Sequence, residues 1–186
     1  MKIKTLKTLF FVLLLSIPFV GNAAEFSKVQ FDKSNITFVS RQMGVSVEGL
    51  FKKFAAKVRI NPAKVESGSA QIEIDVASID AGSMEANDEV KGKTWFDVTT
   101  YPQASFVSGS VESLGGGKYE ASGKMTIKGK SVDLRAPFVM KEDKGALNVD
   151  GAITLKRLEF GIGSGLWSDT SVVADEVQIK FHLVLK

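Results

Sequence analysis

Apolar and polar side chains alternate along most of the chain from Phe26 onward. A period of two places every second side chain on the same face of a β-strand, so the pattern predicts strands with one buried and one wet face. The predicted buried faces are Phe54, Ala56, Val58 and Ile60; Tyr119, Ala121, Met125 and Ile127; Val132, Leu134, Ala136, Phe138 and Met140; and Val177, Ile179, Phe181, Leu183 and Leu185.

Turn-forming residues separate the alternating runs and predict hairpins between them. Asn61-Pro62, the three glycines at 115–117, Gly129 and Gly145 all lie between runs. Eight to ten antiparallel strands are expected in one domain, and so many strands must either close or stack. A closed barrel removes exposed edges, and an eight-stranded barrel can hold a small ligand. A two-sheet sandwich fits the same alternation.

One stretch, residues 84–91, is expected to be helical. Ser83 is a suitable N-cap, and Gly92 follows the last residue as a stop signal. Two large aromatic residues, Trp95 and Phe96, come soon after it. The helix and these rings are expected either to lie across a barrel mouth or to plug the end of a filled core.

The alternation changes parity twice, and each change predicts a turn or a β-bulge. Apolar residues are odd-numbered up to Phe51 and even-numbered from Phe54. They are odd-numbered again up to Leu155 and even-numbered from Leu158. The second change falls at the start of a glycine-rich stretch.

This stretch, residues 157–167, is named here the glycine corner. Backbone amides of closely spaced glycines can cradle a phosphate. A dinucleotide-binding loop also needs a helix directly behind it, and no helical pattern follows Gly165. The glycine corner is therefore interpreted as a sharp bend, in which glycines allow Phe160 and Trp167 to pack closely.

The first 23 residues are expected to be a secretory signal peptide. They combine lysines with an apolar run and end in Gly21-Asn22-Ala23, a small-residue cleavage site. We expect cleavage after Ala23 and a single mature domain, residues 24–186, in the periplasm. Cleavage removes three of the 24 basic residues and leaves 21, equal to the 21 acidic ones. The mature chain therefore lacks the basic face that a nucleic-acid partner requires.

The residue types give no pattern for catalysis, for a metal or for a cofactor. The chain has no cysteine and one histidine, His182, which the alternation places on a wet strand face. A nucleophile needs a base beside it, and zinc or calcium sites need several clustered ligands. Acidic residues such as Glu73 and Asp75 occupy outward strand positions. We expect neither enzyme activity nor a bound metal or cofactor.

Five motifs follow one another along residues 26–186. They are Ser34-Asn-Ile-Thr-Phe38, Gly44-Val-Ser-Val-Glu-Gly-Leu-Phe51, Trp95-Phe-Asp97 with Tyr101-Pro102, Gly123-Lys-Met-Thr-Ile-Lys-Gly129 with Pro137-Phe138, and Arg157-Leu-Glu-Phe-Gly-Ile-Gly163 with Trp167. In this order and spacing they resemble the YceI family of exported, polyisoprenoid-binding, lipocalin-like proteins.

The resemblance implies an all-β fold: an eight-stranded antiparallel lipocalin-like barrel with one short helix. It also implies an apolar interior that holds a long isoprenoid chain, with no established catalytic residues. Many family members carry a histidine ahead of the Gly44 position and another near the first strand. This chain has Gln42 before Met43-Gly44, so a headgroup contact by those histidines is not expected here.

The leading hypothesis is a binding protein that stores or transports the tail of an isoprenoid lipid or isoprenoid quinone, with transient membrane contact. Burying an apolar chain is favourable by about 25 cal/mol per Å², so an apolar tube suffices for tight binding. The residues expected to line the site are Phe38, Val47, Phe51, Phe54, Ile74, Trp95, Phe96, Phe106, Met125, Phe138, Phe160 and Trp167.

Two alternatives belong to other functional classes. One is an enzyme that acts on a lipid headgroup at the barrel mouth, with Arg41, Gln42, Asp88 and Arg157 as polar candidates. The other is a stress or scaffold protein with a solid core and no internal cavity. Arg157 is also expected to fix the glycine corner by pairing with Glu159, with Asp169 or with an acid on a neighbouring strand.

Overall fold

A computed structural model describes residues 25–186, in which one antiparallel sheet curls around the core. The strands are β1 (Asn35–Gln42), β2 (Val45–Phe51), β3 (Phe54–Arg59), β4 (Ser69–Asp75), β5 (Ile79–Asp80), β6 (Gln103–Gly115), β7 (Lys118–Ile127), β8 (Lys130–Asp143), β9 (Ala146–Lys156) and β10 (Glu176–Leu185). Helix α1 (Met84–Lys91) lies between β5 and β6 in the chain. The expected signal peptide, residues 1–23, lies outside the described residues.

The strands pair in the order β3-β4-β6-β7-β8-β9-β10-β1-β2-β5. Lys52 and Lys53 separate β2 from β3, and the 3₁₀ turn Val76–Ser78 separates β4 from β5, so each of these pairs is one bent strand. Because β2 also pairs with β5, through Phe51 and Ile79, the ladder closes into a ring.

Ten strand segments therefore correspond to eight chain strands, and the predicted lipocalin-like barrel is confirmed. The segments differ in number from the prediction because a break in a bent strand splits it in two. The single continuous sheet of residues 35–185 contradicts the alternative of a two-sheet sandwich.

Burial follows the predicted alternation. In β8, Ala136 and Phe138 are buried, whereas Arg135 and Pro137 are exposed. The first predicted parity change falls at the break between β2 and β3. The second falls at the 3₁₀ turn Arg157–Phe160, directly after β9. Both changes are thus explained by interruptions of strands, as expected.

Three inward-facing strand glycines lie beneath aromatic rings: Gly49 beneath Phe38, Gly123 beneath Phe106, and Gly151 beneath Phe181. A Cβ atom on Gly151 would lie 2.6 Å from the Pro137 carbonyl oxygen and closer still to the Phe181 ring. A glycine in a strand leaves no side chain to pack, and a covering ring offsets that loss. Because these rings lie against the barrel wall, they take up less of its centre.

Helix α1 has the predicted bounds and caps. The Ser83 Oγ accepts a hydrogen bond of 3.1 Å from the Ala86 N–H, and Gly92 ends the helix. Val90 packs against a cluster of four buried residues, Ile36, Phe38, Phe51 and Ile79. The helix therefore covers one end of the core. Within residues 25–186, no helix is long and apolar enough to cross a membrane.

The end of the barrel beside α1 is named here the helix end. It comprises α1, the loop of residues 92–102, the turn between β7 and β8, and the glycine corner. Lys128 Nζ joins three of these parts by donating to the carbonyl oxygens of Lys93, at 2.8 Å, and Gly161, at 3.0 Å. The Ser164 N–H adds a hydrogen bond of 2.8 Å to the Thr94 carbonyl. The loops at this end thus form one connected layer.

Candidate ligand site inside the barrel

An apolar cavity of about 100 Å³ lies inside the barrel. Its presence contradicts the alternative of a solid core without an internal cavity. Arg59 and Ser69 are its polar lining residues, and the apolar lining consists of Ile36, Val58, Ile60, Ala70, Ile72, Ile74, Phe106, Val111, Ala121, Met125, Ala136, Phe138, Val149, Ile153, Ile179, Phe181 and Leu183.

The cavity is small compared with a long lipid chain. Apolar cavities of about 150 Å³ in proteins hold a benzene molecule, so this smaller one admits at most a group of a few carbon atoms. A longer chain requires lining side chains to turn aside. Met125 is suited to such movement because its unbranched side chain has three rotatable bonds.

Four of the twelve predicted site residues line the cavity: Ile74, Phe106, Met125 and Phe138. The other eight lie elsewhere, and their part in binding stays a prediction. Phe38 and Phe51 are buried beneath α1 with ring centroids 5.7 Å apart. Phe54 packs against the main core of the barrel and against the four-residue cluster beneath α1. Val47 is half-buried in β2. The remaining four residues, Trp95, Phe96, Phe160 and Trp167, lie at the helix end.

Several lining residues are missing from the predicted site. Ile179, Phe181 and Leu183 of β10 line the cavity, as does Ile153 of β9. The sequence already indicated that the β10 residues are buried, because the alternation places them on a buried strand face. That pattern does not separate a residue that faces a cavity from one that packs against a neighbour.

Arg157 is buried, with 3% of its surface exposed, and its guanidinium group binds carbonyl oxygens. Nε donates to Ala174, Nη1 donates to Ile162 and Gly163, and Nη2 donates to Trp167 and Val173; the five distances run from 2.7 to 3.0 Å. A guanidinium group has five N–H donors, so all of them are used.

The predicted pairing of Arg157 with a carboxylate is therefore wrong. Among the described residues no carboxylate lies within ion-pair distance of it. Asp175 lies nearby, but its Oδ1 accepts a hydrogen bond of 3.0 Å from the Leu158 N–H. Burial lowers the pKa of the Arg157 guanidinium, and the negative charge of Asp175 acts in the opposite direction.

The glycine corner is a bend, as predicted, built from two short turns. A 3₁₀ turn, Arg157–Phe160, ends at Gly161, and a second one, Gly165–Ser168, follows where no helical pattern was expected. Gly163 has a φ of +72°, and a Cβ atom there would overlap Arg157 Nη1. Glycine is required at this position because the backbone must be left-handed and must also approach the guanidinium group.

Two tryptophan rings lie beside this buried cation. The ring centroids of Trp95 and Trp167 are 5.4 Å apart, and the Arg157 Cζ lies 5.7 Å from the Trp95 centroid. Trp167 donates its Nε1–H to Glu89 Oε1 at 2.7 Å, which links the glycine corner to α1. The Trp95 Nε1 is buried and has no hydrogen-bond partner among residues 25–186.

The polar candidates of the enzyme alternative do not share one environment. Arg41, Gln42 and Asp88 are exposed, whereas Arg157 is buried and has no N–H left for a substrate. His182 is paired with Asp150 at 2.6 Å on the half-exposed side of β10. Within the described part of the chain, no three His, Asp or Glu residues are grouped closely enough to hold a metal ion.

Comparisons with known proteins agree with this architecture. A family model described as a YceI-like domain matches residues 28–185. A UPF0312 protein of Vibrio cholerae is 28% identical over 186 residues, which cover 94% of this chain and 98% of that protein.

Two solved structures share the fold. BcnA of Burkholderia cenocepacia superposes with a TM-score of 0.83 at 51% identity, covering 86% of this chain and 100% of that chain. A domain from Saccharophagus degradans superposes with a TM-score of 0.65 at 16% identity, covering 88% of this chain and 98% of that chain. Since the family model spans nearly all of the described residues, the chain belongs to the YceI-like domain family.

Proposed function

We propose that the barrel binds the hydrocarbon chain of an isoprenoid lipid, of which the tail of an isoprenoid quinone is one example. The apolar internal cavity carries this proposal. Its lining offers seventeen apolar side chains and two polar ones, which suits the hydrocarbon part of a ligand. The related Saccharophagus degradans structure is described as a polyisoprenoid binding domain, and this supports the same ligand class here.

The energetics favour a branched hydrocarbon chain. Each buried CH₂ group contributes about 0.8 kcal/mol, so one five-carbon isoprene unit contributes roughly 4 kcal/mol before any cost of moving side chains. The cavity holds about one such unit as it stands, and further units must displace rings and the Met125 side chain.

We further propose that binding takes place in the periplasm, where the protein stores or transports the lipid and contacts membranes transiently. The basis is the signal-like sequence of residues 1–23. An isoprenoid tail is nearly insoluble in water, so a carrier is needed wherever such a lipid crosses an aqueous compartment. Subcellular fractionation of cells that express the full chain tests the location, with the mature protein expected in the periplasmic fraction.

Extraction of the natively purified protein with organic solvent, followed by mass spectrometry, tests the ligand class. We expect an isoprenoid at close to one molecule per protein. The matched control is the same protein stripped of lipid in denaturant and refolded, which should yield none and should gain thermal stability when an isoprenoid is added back. An empty native extract, together with no stabilisation of the refolded protein, would contradict the proposal.

A further inference from the structure

The Trp95 indole carries a buried hydrogen-bond donor that none of the described residues satisfies. Among residues 25–186, Nε1 of Trp95 is the one buried side-chain nitrogen or oxygen atom without a partner. A buried donor left unpaired is costly and is rare in native proteins. A donor of this kind needs an explanation, and a ligand that supplies the missing acceptor is one.

The other side-chain nitrogen atoms near Trp95 each have hydrogen-bond partners. The five N–H groups of Arg157 all bind backbone carbonyls, and the Trp167 Nε1–H binds Glu89. Lys128 Nζ donates to Lys93 and Gly161. The helix end therefore contains one free buried donor within a layer of satisfied ones. A cation lies beside the indole, because the Arg157 Cζ is 5.7 Å from the Trp95 ring centroid.

Trp95 does not line the cavity, but it packs against the same core. It packs against the cluster of buried residues that contains Phe106, Met125 and Phe138, and these three residues line the cavity. A chain that fills the cavity and extends toward the helix end therefore brings its terminal group toward the two tryptophans.

We propose that the Trp95 Nε1–H donates a hydrogen bond to an oxygen atom in the polar head of the bound isoprenoid, an inference that rests on the proposed function. The ligand is then an oxygen-bearing isoprenoid, such as an alcohol, a quinone or a phosphate ester. The hydrocarbon tail supplies most of the affinity, and Trp95 supplies selectivity for an acceptor at the head.

The test compares three C20 isoprenoids that share one branched chain: phytane has no oxygen, phytol has a hydroxyl group, and phytyl phosphate has an anionic head. Each is titrated into the delipidated full-length mature protein by displacement of an apolar fluorescent dye. The variant Trp95→Phe keeps an aromatic ring and removes the N–H. The control Tyr101→Phe removes a hydroxyl group from the same end of the barrel.

We expect Trp95→Phe to weaken phytol binding about fivefold, phytyl phosphate binding about tenfold or more, and phytane binding not at all, because a hydrogen bond to a charged group is the stronger one. Tyr101→Phe should change none of the ratios between ligands. A larger loss for the phosphate than for the alcohol identifies an anionic head as the preferred acceptor, and equal losses identify a neutral oxygen.

A thermal unfolding measurement on the ligand-free protein adds a second readout. Both variants lose ring volume, but Trp167→Phe also loses the hydrogen bond to Glu89, whereas Trp95→Phe loses no hydrogen bond and should lower the Tm less than Trp167→Phe does. If Trp95→Phe weakens all three ligands equally, or weakens none, the Trp95 inference is overturned while isoprenoid binding stands. If the unmodified protein binds none of the three, the proposed function fails as well.

Discussion

A single buried cation organises the glycine corner. Arg157 binds carbonyl oxygens between the two turns of the corner, in the second turn and on the segment that leads into β10. The sequence shows an arginine close to several acids, which predicts an ion pair. The carbonyls that converge on it come from one glycine and four apolar residues, and no sequence pattern marks them. The sequence therefore predicts the bend, whereas its central interaction depends on backbone geometry.

The carbonyl network predicts a large cost for a small change at Arg157. Arg157→Lys keeps the charge but offers at most three donors, so at least two buried carbonyls lose their partners. Each such loss costs about 1–3 kcal/mol, and we expect the free energy of unfolding to fall by roughly 3 kcal/mol. Urea unfolding at pH 7 measures this free energy.

The control Arg135→Lys alters an exposed pair with Glu120 at 3.5 Å and should cost under about 0.5 kcal/mol. Equal losses of stability in Arg157→Lys and Arg135→Lys would contradict the role of Arg157 in binding the backbone carbonyls.

A strand glycine provides the second prediction at this scale. Gly151→Ala places a methyl group against the Phe181 ring and the Pro137 carbonyl, so the β9 backbone or the ring must move. Overpacking of this kind costs about 1–3 kcal/mol. Gly109→Ala in β6 is the matched control, because its Cβ atom would meet only the Ser122 carbonyl oxygen, at 3.8 Å. In thermal unfolding, the Tm of Gly151→Ala should be well below the Tm of Gly109→Ala. The reverse order would refute the close packing of Phe181 against Gly151.

At the scale of elements, strands and the helix follow from local patterns. The bounds of α1 were predictable because a polar N-cap and a terminal glycine mark both ends of a short amphipathic stretch. The break between β2 and β3 was predictable because the apolar residues change from odd-numbered to even-numbered positions there. The pairing of β2 with β1 and of β3 with β4 was not predictable, because pairing partners depend on contacts between residues far apart in the sequence.

The N-cap of α1 carries the prediction for this scale. Ser83→Ala removes the acceptor for the Ala86 N–H and should lower the free energy of unfolding by about 1 kcal/mol. Ser83→Asp keeps an acceptor and places a negative charge at the positive end of the helix, so it should retain wild-type stability. Chemical denaturation of both variants measures the difference. A Ser83→Asp variant as unstable as Ser83→Ala would show that the side chain acts through something other than capping.

At the scale of the whole molecule, alternation predicts an apolar interior but not its volume. Four of the twelve predicted site residues face the cavity, and the rest fill the core or the helix end. Cavity volume is a small difference between the space that the barrel encloses and the volume of the side chains that fill it. Glycines under rings, such as Gly123 under Phe106, alter this difference without changing the hydrophobic pattern.

Filling the cavity should separate stability from ligand binding. Ala121 lines the cavity, and Ala121→Leu adds three carbon atoms that can occupy it. Each buried carbon contributes about 0.8 kcal/mol, so the ligand-free protein should gain up to about 2 kcal/mol, while phytol affinity should fall at least tenfold. Ala104 is equally buried but does not line the cavity, so Ala104→Leu overpacks the core and should cost about 1–3 kcal/mol.

Urea unfolding of the two leucine variants and dye displacement by phytol give both quantities. Because Ala121→Leu raises stability while it removes the site, its loss of binding cannot come from unfolding. An Ala121→Leu protein that binds phytol as tightly as the unmodified chain would mean that the ligand lies outside this cavity. The predicted site residues at the helix end and beneath α1 would then become the leading candidates for the site.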